Sequence, residues 1–539
     1  MKKYLVYMMC AAAAVIGGTS CSDFGDTNTD PENLNDGNID YAYLFTNAQH
    51  QALGSDWDVW RNGCIYGTTM LQQTSSFNWS QGTFYVWDGG YNSAYWDAIY
   101  SGDRAAARDI ALAMRNWEGD SRYSTDYQMA RIVKAYVYLR LTDLYGDIPY
   151  SQAIQPEEYP YPAYDTQQSI YMDLLKELNE AQAALDGAQA SYIGGADVYF
   201  NGDLTKWRKF ANSLILRMAM RMSKVDEASA RQWVKTAVDN GIIMSNEDNA
   251  MLQHPNGSVA DDSSEPYGKI FSDTDAGAFF LAEYFVNLLK STNDPRLALI
   301  ATVCSTDPRT KYSAEGYDYG NNDPAIQMGM PSGYDNEDGP FDISQDPNYP
   351  GDDKYRTTYS TVNRNTYSDP TAPTFIVTYA ENCFLLAEAA YRGWLDGTSA
   401  SGTAQSYYEE GVRAAMKQFS QFPNATSLYN TYLTDAAIDQ YLAENPFDQS
   451  RALEQINTQY YINTFCDAYE TFANWRRSGY PVLTPVNKDY PNNATNGTIP
   501  RRFTYPTTES TVNTTNYQEA VARLNNGDSM TSRVWWDAE

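Results

Sequence analysis

The segment 124–145 constrains the fold of this chain more than any other. Its apolar side chains recur with helical spacing and leave little polar face, which predicts a helix buried on more than one side. Ser124 or Thr125 can cap its first turn. Gly146 and Pro149 follow, and a glycine with a proline nearby is typical of a helix end. A chain that buries such a helix has to surround it with other elements, and the sequence offers mainly helices.

Helical periodicity recurs along much of the chain. The further predicted helices are 40–53, 91–117, 166–185, 204–223, 226–240, 276–290, 377–396, 403–420, 434–443 and 448–474. Small residues at the expected helix crossings, such as Ala130, Ala135 and Ala387, suggest tetratricopeptide-like hairpins. We therefore expect an all-α fold with helical repeats mainly in 40–290 and 377–474. A strict repeat cannot be aligned, so periodicity alone supports the hairpin array only in part.

Two predicted loops are rich in aromatic residues. The first is 67–92, between the first two predicted helices, and the second is the very long irregular segment 305–375. Loops of this length are usually functional or disordered. Disordered segments avoid aromatics, whereas 305–375 contains many tyrosines. We expect the segment to be packed, with some of its rings presented to a ligand.

We hypothesise that rings from the two loops converge on one shallow binding site. Aromatic faces cover apolar C–H surface, while carboxylates and amides bind hydroxyl or N–H groups, as sugars and peptides require. The candidates are the rings of Trp79, Tyr85, Trp87, Tyr317, Tyr319 and Tyr334, and the polar groups of Asn78, Asp88, Asn321 and Asn322. The alternative is that the rings only attach the loops to the helices. For any single ring that alternative is favoured, and we expect one or two true contacts in the set.

The N-terminus has the pattern of a secretory signal. Two lysines precede an apolar run at 4–16, small residues follow, and Cys21 comes directly after them. This order predicts a lipoprotein signal peptide at 1–20 and a lipidated Cys21, so that acyl chains anchor the protein to a membrane. The alternative is ordinary signal cleavage that leaves Cys21 as a free thiol.

The composition and the missing motifs exclude several classes of function. The formal net charge of −30 repels nucleic acid. The chain lacks phosphate-loop, dinucleotide-binding, zinc-protease and serine-hydrolase motifs. His50 and His254 lie far apart in sequence, so each is interpreted as a surface or loop histidine. With 68 acidic residues, the paired carboxylates of a glycoside hydrolase stay open, although no pair stands out.

The sequence offers one candidate metal site. The acid-rich run from Asp335 to Asp353 is a candidate for calcium, but it lacks the spacing of an EF-hand loop, and a solvated acidic loop is the favoured interpretation. Cys64, Cys304, Cys383 and Cys466 are widely spaced, and no pair has the CxxC spacing of a zinc or redox site. We therefore expect no resident cofactor and leave disulfide pairing open.

Six segments in order carry a family resemblance. They are Leu144-Tyr145-Gly146-Asp147-Ile148-Pro149-Tyr150, Asn293-Asp294-Pro295-Arg296-Leu297, Phe384-Leu385-Leu386-Ala387-Glu388-Ala389-Ala390, Asn474-Trp475-Arg476-Arg477-Ser478-Gly479-Tyr480-Pro481, Ile499-Pro500-Arg501-Arg502-Phe503-Thr504-Tyr505-Pro506 and Arg533-Val534-Trp535-Trp536-Asp537. Together with the signal, they resemble the SusD/RagB-like family of nutrient-binding outer-membrane lipoproteins over nearly the whole chain. The motif arginines are interpreted as structural, because guanidinium groups satisfy buried carboxylates and helix-end carbonyls.

The resemblance implies a single SusD-like domain over 21–539, with about four tetratricopeptide-like helix pairs and a large irregular portion. It implies a non-catalytic lipoprotein, anchored by its lipid at the cell surface of the outer membrane. Such a protein forms a lid over a SusC-like TonB-dependent transporter and delivers oligosaccharides to it, or in some members oligopeptides. Glycan or peptide stays open here, and a surface glycoside hydrolase and a protein-binding adaptor are the other function classes.

Overall fold

The computed structural model describes residues 39–102, 105–260, 263–486 and 488–539. The predicted signal peptide 1–20 and the predicted lipid site Cys21 lie outside these residues. Helices dominate, and strands are short and few among the described residues, which confirms the all-α prediction.

The longer helices account for most of the regular structure. Those of nine residues or more among the described residues are α1 (Tyr41–Gln51), α2 (Ala106–Trp117), α3 (Ser124–Tyr145), α4 (Gln167–Ala184), α5 (Leu204–Arg221), α6 (Glu227–Asn240), α7 (Glu283–Ser291), α8 (Tyr379–Tyr391), α9 (Ala404–Lys417), α10 (Asp435–Glu444), α11 (Ala452–Asn463), α12 (Ala468–Ser478) and α13 (Thr514–Ala522). Shorter α-helices are Asp56–Asp58, Gly89–Asn92, Ala94–Tyr100, Pro266–Lys269, Leu297–Ile300, Thr426–Tyr432 and Glu509–Val512, and Val59–Thr68 and Ile270–Thr274 are π-helices.

The helices pack as successive pairs. Helix α1 packs on α2, α3 on α4, α5 on α6 and α8 on α9. The pairs join through α2 on α3, α4 on α5 and α5 on α8, while α11 packs on α8, and α12 packs on α11 and on α3. The predicted arrangement of about four helix pairs is confirmed. Within the described residues, no helix combines the length and apolar character needed to cross a bilayer.

Helix α3 lies at the centre of the array, as its sequence predicts. Its buried side chains include residues on all sides of the helix. It ends where Gly146 adopts a φ of +84°, a conformation that glycine takes without strain. The predicted cap is wrong: Ser124 is the first helical residue, and the Thr125 hydroxyl donates to the Gln189 carbonyl 2.8 Å away.

Three predicted helices differ from the structure. The segment 91–117 is divided, with one helix ending at Tyr100 and α2 beginning at Ala106. The segment 448–474 is also divided, because Cys466 has a φ of +64° and Asp467 then caps α12. Helix α7 begins only at Glu283, since the residues before it form a strand. In each case a local backbone requirement interrupts a continuous apolar pattern.

Short antiparallel ladders tie the loops to the helices. The strands are β1 (Thr74–Ser75), β2 (Ile148–Pro149), β3 (Tyr164–Asp165), β4 (Ala250–Leu252), β5 (Phe280–Leu281), β6 (Ala301–Thr302), β7 (Thr361–Val362) and β8 (Thr374–Val377). They pair as β1 with β5, β2 with β3, β4 with β8 and β6 with β7. In the first ladder Thr74 lies opposite Leu281 and Ser75 opposite Phe280. This ladder holds the first aromatic loop against the residues that precede α7.

The long segment 305–375 is packed rather than disordered, as expected from its aromatic content. Together with the first aromatic loop, it forms a small apolar core that is separate from the main core. The buried members of that core are Phe77, Phe280, Met330, Ile343, Tyr355 and Tyr359. The rings of Phe77 and Tyr355 meet edge to face with centroids 5.1 Å apart. The two aromatic loops therefore contact each other, as the sequence hypothesis requires.

The motif arginines stabilise the fold from within. Arg477 donates to both oxygens of Glu388 at 2.7 and 2.8 Å, and both side chains are at most 2% exposed. Burial alone would raise the pKa of Glu388, but the charges and hydrogen bonds of Arg477 and Arg392 hold it at about 2. Arg476 donates to the Asp143 carbonyl at the end of α3. These residues join separate helices, as the sequence interpretation states.

Candidate functional site

A pair of tryptophans at the surface of the loop region forms the core of the candidate site. The indole rings of Trp60 and Trp79 meet edge to face, with centroids 4.7 Å apart and planes at 85°. Trp60 Nε1 donates to Asp275 Oδ2 at 3.0 Å, and Trp79 Nε1 donates to the same oxygen. One carboxylate therefore fixes two half-buried rings that lie apart in sequence.

The local sequence explains why Trp60 has this position. Ser55 and Asp58 form a capping box, in which Ser55 N and Oγ both donate to Asp58 Oδ1 at 2.8 Å. The capped turn leads directly into the π-helix Val59–Thr68, which is otherwise almost completely buried. Trp60 is the half-buried exception near its start, so the helix presents this ring at the surface.

Further rings extend the pair into a platform. Tyr91 lies 6.0 Å from Trp60, centroid to centroid. Trp57 is 62% exposed, and the Arg61 guanidinium carbon lies 2.9 Å from the centroid of its ring. We call the four rings of Trp57, Trp60, Trp79 and Tyr91 the aromatic platform. Because Arg61 covers one face of Trp57, the opposite face is the one that a ligand can reach.

The carboxylate of Asp275 keeps capacity for a further hydrogen bond. Partial burial raises the pKa of its carboxyl, and the two indole N–H groups oppose that rise. Within the described residues, its Oδ1 accepts no hydrogen bond from another side chain or from the backbone. A carboxylate with one oxygen held and the other available can accept a ligand hydroxyl beside the rings.

The long segment borders this site. Tyr312 N donates to the Ser272 carbonyl at 2.9 Å, and Lys311 Nζ lies 3.4 Å from Asp273 Oδ1. Gly277 adopts a φ of +72° directly against Arg309, where a Cβ atom would lie 2.9 Å from Arg309 Cγ. The backbone around Asp275 is therefore held by 309–312, next to a second group of rings.

Three tyrosines of the long segment form this second aromatic group. The ring of Tyr317 meets Tyr312 at 5.4 Å and Tyr319 at 5.1 Å, in both cases edge to face. The guanidinium of buried Arg364 lies 4.3 Å from the Tyr317 centroid. Tyr319 is 45% exposed, whereas Tyr317 is largely covered. Of the predicted pair, Tyr319 is the ring that a ligand can reach.

The other predicted residues have structural partners. Tyr85 is 1% exposed and its hydroxyl accepts from Val486 N at 3.3 Å, so it belongs to the core. Trp87 is 47% exposed and its indole donates to Thr504 Oγ1 at 2.9 Å. Asp88 caps the helix Gly89–Asn92 by accepting from Tyr91 N.

The predicted amides hydrogen-bond to other loop residues or to a strand. Asn336 Nδ2 donates to Asn78 Oδ1 at 3.1 Å, which links the two aromatic loops. Asn322 Nδ2 donates to the Ala301 carbonyl, and Asn321 Oδ1 accepts from Asp323 N. Tyr334 lines a separate cleft. Among the described residues, no ring contact joins the Trp79, Trp87, Tyr319 and Tyr334 rings to one another.

Sequence reasoning missed Trp57, Trp60, Arg61 and Asp275. The segment 54–66 lies between a predicted helix and a predicted loop, and neither prediction covers it. A signal is nevertheless present: Asp56-Trp57-Asp58-Val59-Trp60-Arg61 places two tryptophans three residues apart, on one face of a helix.

The groups that could hold a metal ion or react as nucleophiles are dispersed or buried. Among the described residues, no group of three or more His, Cys, Asp or Glu side chains is placed to hold a metal ion. The cysteines described are free thiols. Of the two histidines interpreted as surface or loop residues, His254 lies in the loop after β4 and His50 lies in helix α1, and the fold brings their rings to 6.5 Å from each other. His254 is 3% exposed, and burial lowers its pKa to about 4.

Known proteins share this architecture. The model of the family SusD-like_2, described as "Starch-binding associating with outer membrane", matches residues 32–506. A solved structure named "chitin-binding protein" is 29% identical with a TM-score of 0.75, and the match covers 93% of this chain and 100% of that one.

Two further solved structures are similar. A SusD-like protein of "Bacteroidetes AC2a" is 29% identical with a TM-score of 0.78, and a SusD homolog from Bacteroides uniformis is 25% identical with a TM-score of 0.72. Both matches cover 93% of this chain and 100% of the other. Among curated proteins, none matches this chain significantly.

Proposed function

This chain belongs to the SusD-like family of outer-membrane nutrient-binding proteins, and from that premise we propose that it captures oligosaccharides at the cell surface. We propose further that it delivers them to a SusC-like TonB-dependent transporter. The observation that carries the proposal is the Trp60–Trp79 pair held by Asp275.

The chemistry of the platform suits a sugar. The apolar faces of pyranose rings stack on indole faces, and hydroxyl groups then need acceptors at the edge of the stack. Asp275 supplies such an acceptor beside Trp60 and Trp79. The two rings stand nearly perpendicular, so they form a corner rather than one flat surface. A corner matches one sugar unit covered on a face and an edge.

The glycan class has support from relatives. The family model is described as starch-binding, and one solved structure of 29% identity is named a chitin-binding protein. Both names favour a saccharide over an oligopeptide as the ligand of this chain. Both ligands named are neutral, in keeping with a protein whose net charge of −30 would repel acidic glycans.

Membrane attachment and the transporter partner complete the proposal. The N-terminal pattern ending at Cys21 supports a lipid anchor. A tethered binding protein keeps its captured ligand close to the entrance of a transporter, because the tether raises the effective concentration there. Radiolabelled palmitate incorporated into the full chain, but not into a Cys21→Ser variant, would establish the anchor.

Binding measurements test the saccharide site. We expect isothermal titration with starch and chitin oligosaccharides to give saturable binding to the purified protein. Trp79→Ala should weaken that binding strongly. Trp87→Ala is the matched control, since this tryptophan is also surface-accessible but bonds to Thr504 outside the platform. Equal losses in both variants, or none in Trp79→Ala, would contradict the assignment of the site.

A pull-down tests the transporter step. Tagged full-length protein, recovered from detergent-solubilised outer membrane, should bring with it a barrel protein of large mass. Recovery of the tagged protein alone would contradict delivery to a transporter while leaving the saccharide site untouched.

A further inference from the structure

A cleft of about 880 Å³ lies apart from the aromatic platform and shares no residue with it. Its walls are helix α7, the segment 331–346 and the segment 484–486. The rings of Tyr284, Tyr334 and Phe341 line it and are all half-buried. A volume of this size is within the usual range for small-molecule sites, which is roughly 300 to 1,000 Å³.

Hydrogen bonds hold the walls of the cleft in place. Asp335 N donates to the Phe341 carbonyl at 2.8 Å and Ile343 N to the Asp335 carbonyl at 2.9 Å, which closes the loop that carries Phe341. Gln72 Nε2 donates to the Thr484 carbonyl at 2.6 Å, joining the first aromatic loop to the opposite wall. The cleft is therefore formed before any ligand enters.

Two carboxylates, those of Glu283 and Asp346, line the cleft together with the Tyr334 ring. Burial, followed by the negative charges of Asp346 and Glu283, raises the pKa of Tyr334. The same two carboxylates raise the pKa of buried Tyr359 behind it, again after burial. Glu283, Tyr334 and Asp346 all line this one cleft, so the two negative charges act on the Tyr334 ring within it.

The lining has no compensating positive charge. Among its described residues, the charged side chains are Glu283 and Asp346, and none is Lys, Arg or His. Asn287 and Gln72 add amide groups. In a protein of net charge −30, such a cleft has a negative potential that attracts cations and repels anions.

The backbone beside the cleft does not offer a free edge to a peptide. Leu281 N donates to the Ser360 carbonyl, Met330 N to the Leu281 carbonyl and Glu283 N to the Met330 carbonyl, each at 2.8 Å. A peptide that binds by strand addition needs backbone groups that are still unpaired. Half-buried rings with carboxylates and amides instead fit a ligand recognised through ring faces and polar substituents.

We propose that this cleft binds an oligosaccharide carrying protonated amino groups, with one sugar ring on Tyr334 and its amines paired with Glu283 and Asp346. The site is additional to the aromatic platform. It would let one protein hold a partly deacetylated amino-sugar chain at two places, or select such chains over neutral ones.

Titration calorimetry with two matched probes tests this proposal. The probes are a glucosamine oligomer and an N-acetylglucosamine oligomer of equal length, which differ in the charge of their amino groups. We expect the glucosamine oligomer to bind more tightly, and its affinity to fall when salt rises from about 0.05 to about 0.5 M. The double variant E283Q/D346N should lose about tenfold or more of that affinity, whereas binding of the acetylated oligomer should stay within about twofold.

Control variants separate this cleft from the aromatic platform and from a general effect of protein charge. Asp396→Asn removes one exposed carboxylate outside the cleft and should bind the glucosamine oligomer as the wild type does. Trp79→Ala should still bind the glucosamine oligomer through Glu283 and Asp346. The assignment of the cleft can therefore fail or hold independently of the assignment of the aromatic platform. Unchanged binding in E283Q/D346N at an unchanged melting temperature would overturn the proposal. Tighter carboxylate-dependent binding of an oligolysine peptide than of the glucosamine oligomer would overturn its saccharide assignment.

Discussion

In the helical core, Arg477 donates hydrogen bonds to both carboxylate oxygens of Glu388, and the pair is buried away from water. At the aromatic platform, Asp275 receives two indole N–H groups and stays half-buried. Both regions join a carboxylate to donors from distant parts of the chain. In the core both oxygens of the carboxylate are held, whereas Asp275 keeps one oxygen for another partner.

The difference shows how burial separates structural from binding roles. A buried charge needs complete compensation, because an unpaired one costs several kcal/mol. A half-exposed carboxylate tolerates an unused oxygen, since water can satisfy it until a ligand arrives. Residue type alone does not distinguish the two situations, but exposure and hydrogen bonding do.

Removing Arg477 should produce the largest effect. Arg477→Ala leaves Glu388 buried with less compensation, so we expect a loss of about 3–5 kcal/mol in the free energy of unfolding. Urea denaturation followed by circular dichroism measures it. Arg451→Ala, at an exposed pair with Glu454, is the matched control and should cost less than about 1 kcal/mol. Equal losses in the free energy of unfolding for the two variants would mean that burial does not decide whether an ion pair stabilises the fold.

Removing Trp79 should affect binding more than stability. Trp79→Ala takes away one wall of the platform, and we expect roughly 10- to 100-fold weaker saccharide binding, as for a central aromatic contact. Calorimetry gives the affinity, and the melting temperature should change little because the ring is only half-buried. A large drop in melting temperature with intact affinity would place Trp79 among the structural residues.

A third carboxylate, that of Glu265, is buried like Glu388 but has no arginine partner among the described residues, and the pH dependence of stability tests this difference. Burial raises the pKa of Glu265 to about 8, and no arginine of the described chain lowers it as Arg477 lowers that of Glu388. The folded protein therefore binds this proton more tightly than the unfolded chain. The contribution of this protonated carboxyl to the free energy of unfolding is complete below about pH 4.5 and is lost as the pH rises through about 8. Between pH 6 and 8 the protein should lose about 2 kcal/mol of stability. Glu265→Gln should flatten that part of a stability–pH curve, and an unchanged slope would contradict the assignment.

Changing Asp275 should have the smallest effect. Asp275→Asn keeps an acceptor for the indoles but removes the charge, so we expect about three- to tenfold weaker saccharide binding, less than for Trp79→Ala. The measurement is the same titration. Intrinsic fluorescence supplies a second one, because the Trp60–Trp79 contact should loosen. A binding loss greater than that of Trp79→Ala would make the carboxylate, and not the rings, the main contact.

Much of the fold could be predicted because its signals are local. Helix α3, its glycine end and the helix pairs follow from apolar spacing within short windows. The divided helices could not be predicted in the same way, since a positive φ at Cys466 leaves no mark on the pattern of apolar residues. The motif arginines were predicted as structural from their chemistry, and their partners appear only in three dimensions.

The candidate site was less predictable because it is assembled from distant segments. Trp79 was named and Trp60 was not, although the two rings are in contact. Asp275 lies 196 residues from Trp79, and nothing in its local sequence marks it out. Tyr85 had the same residue type and loop context as the other candidates, and only its burial shows that it belongs to the core.

The shared carboxylate of Asp275 has a consequence for the speed of capture. The rings of Trp60 and Trp79 are already held by one carboxylate, so binding a sugar should cost little conformational entropy. The association rate constant should therefore be close to that of a binding reaction without a conformational change. The same platform does not enclose its ligand, and release should be correspondingly fast. Rapid exchange suits a protein that passes its ligand on, because a slow release would limit every later step.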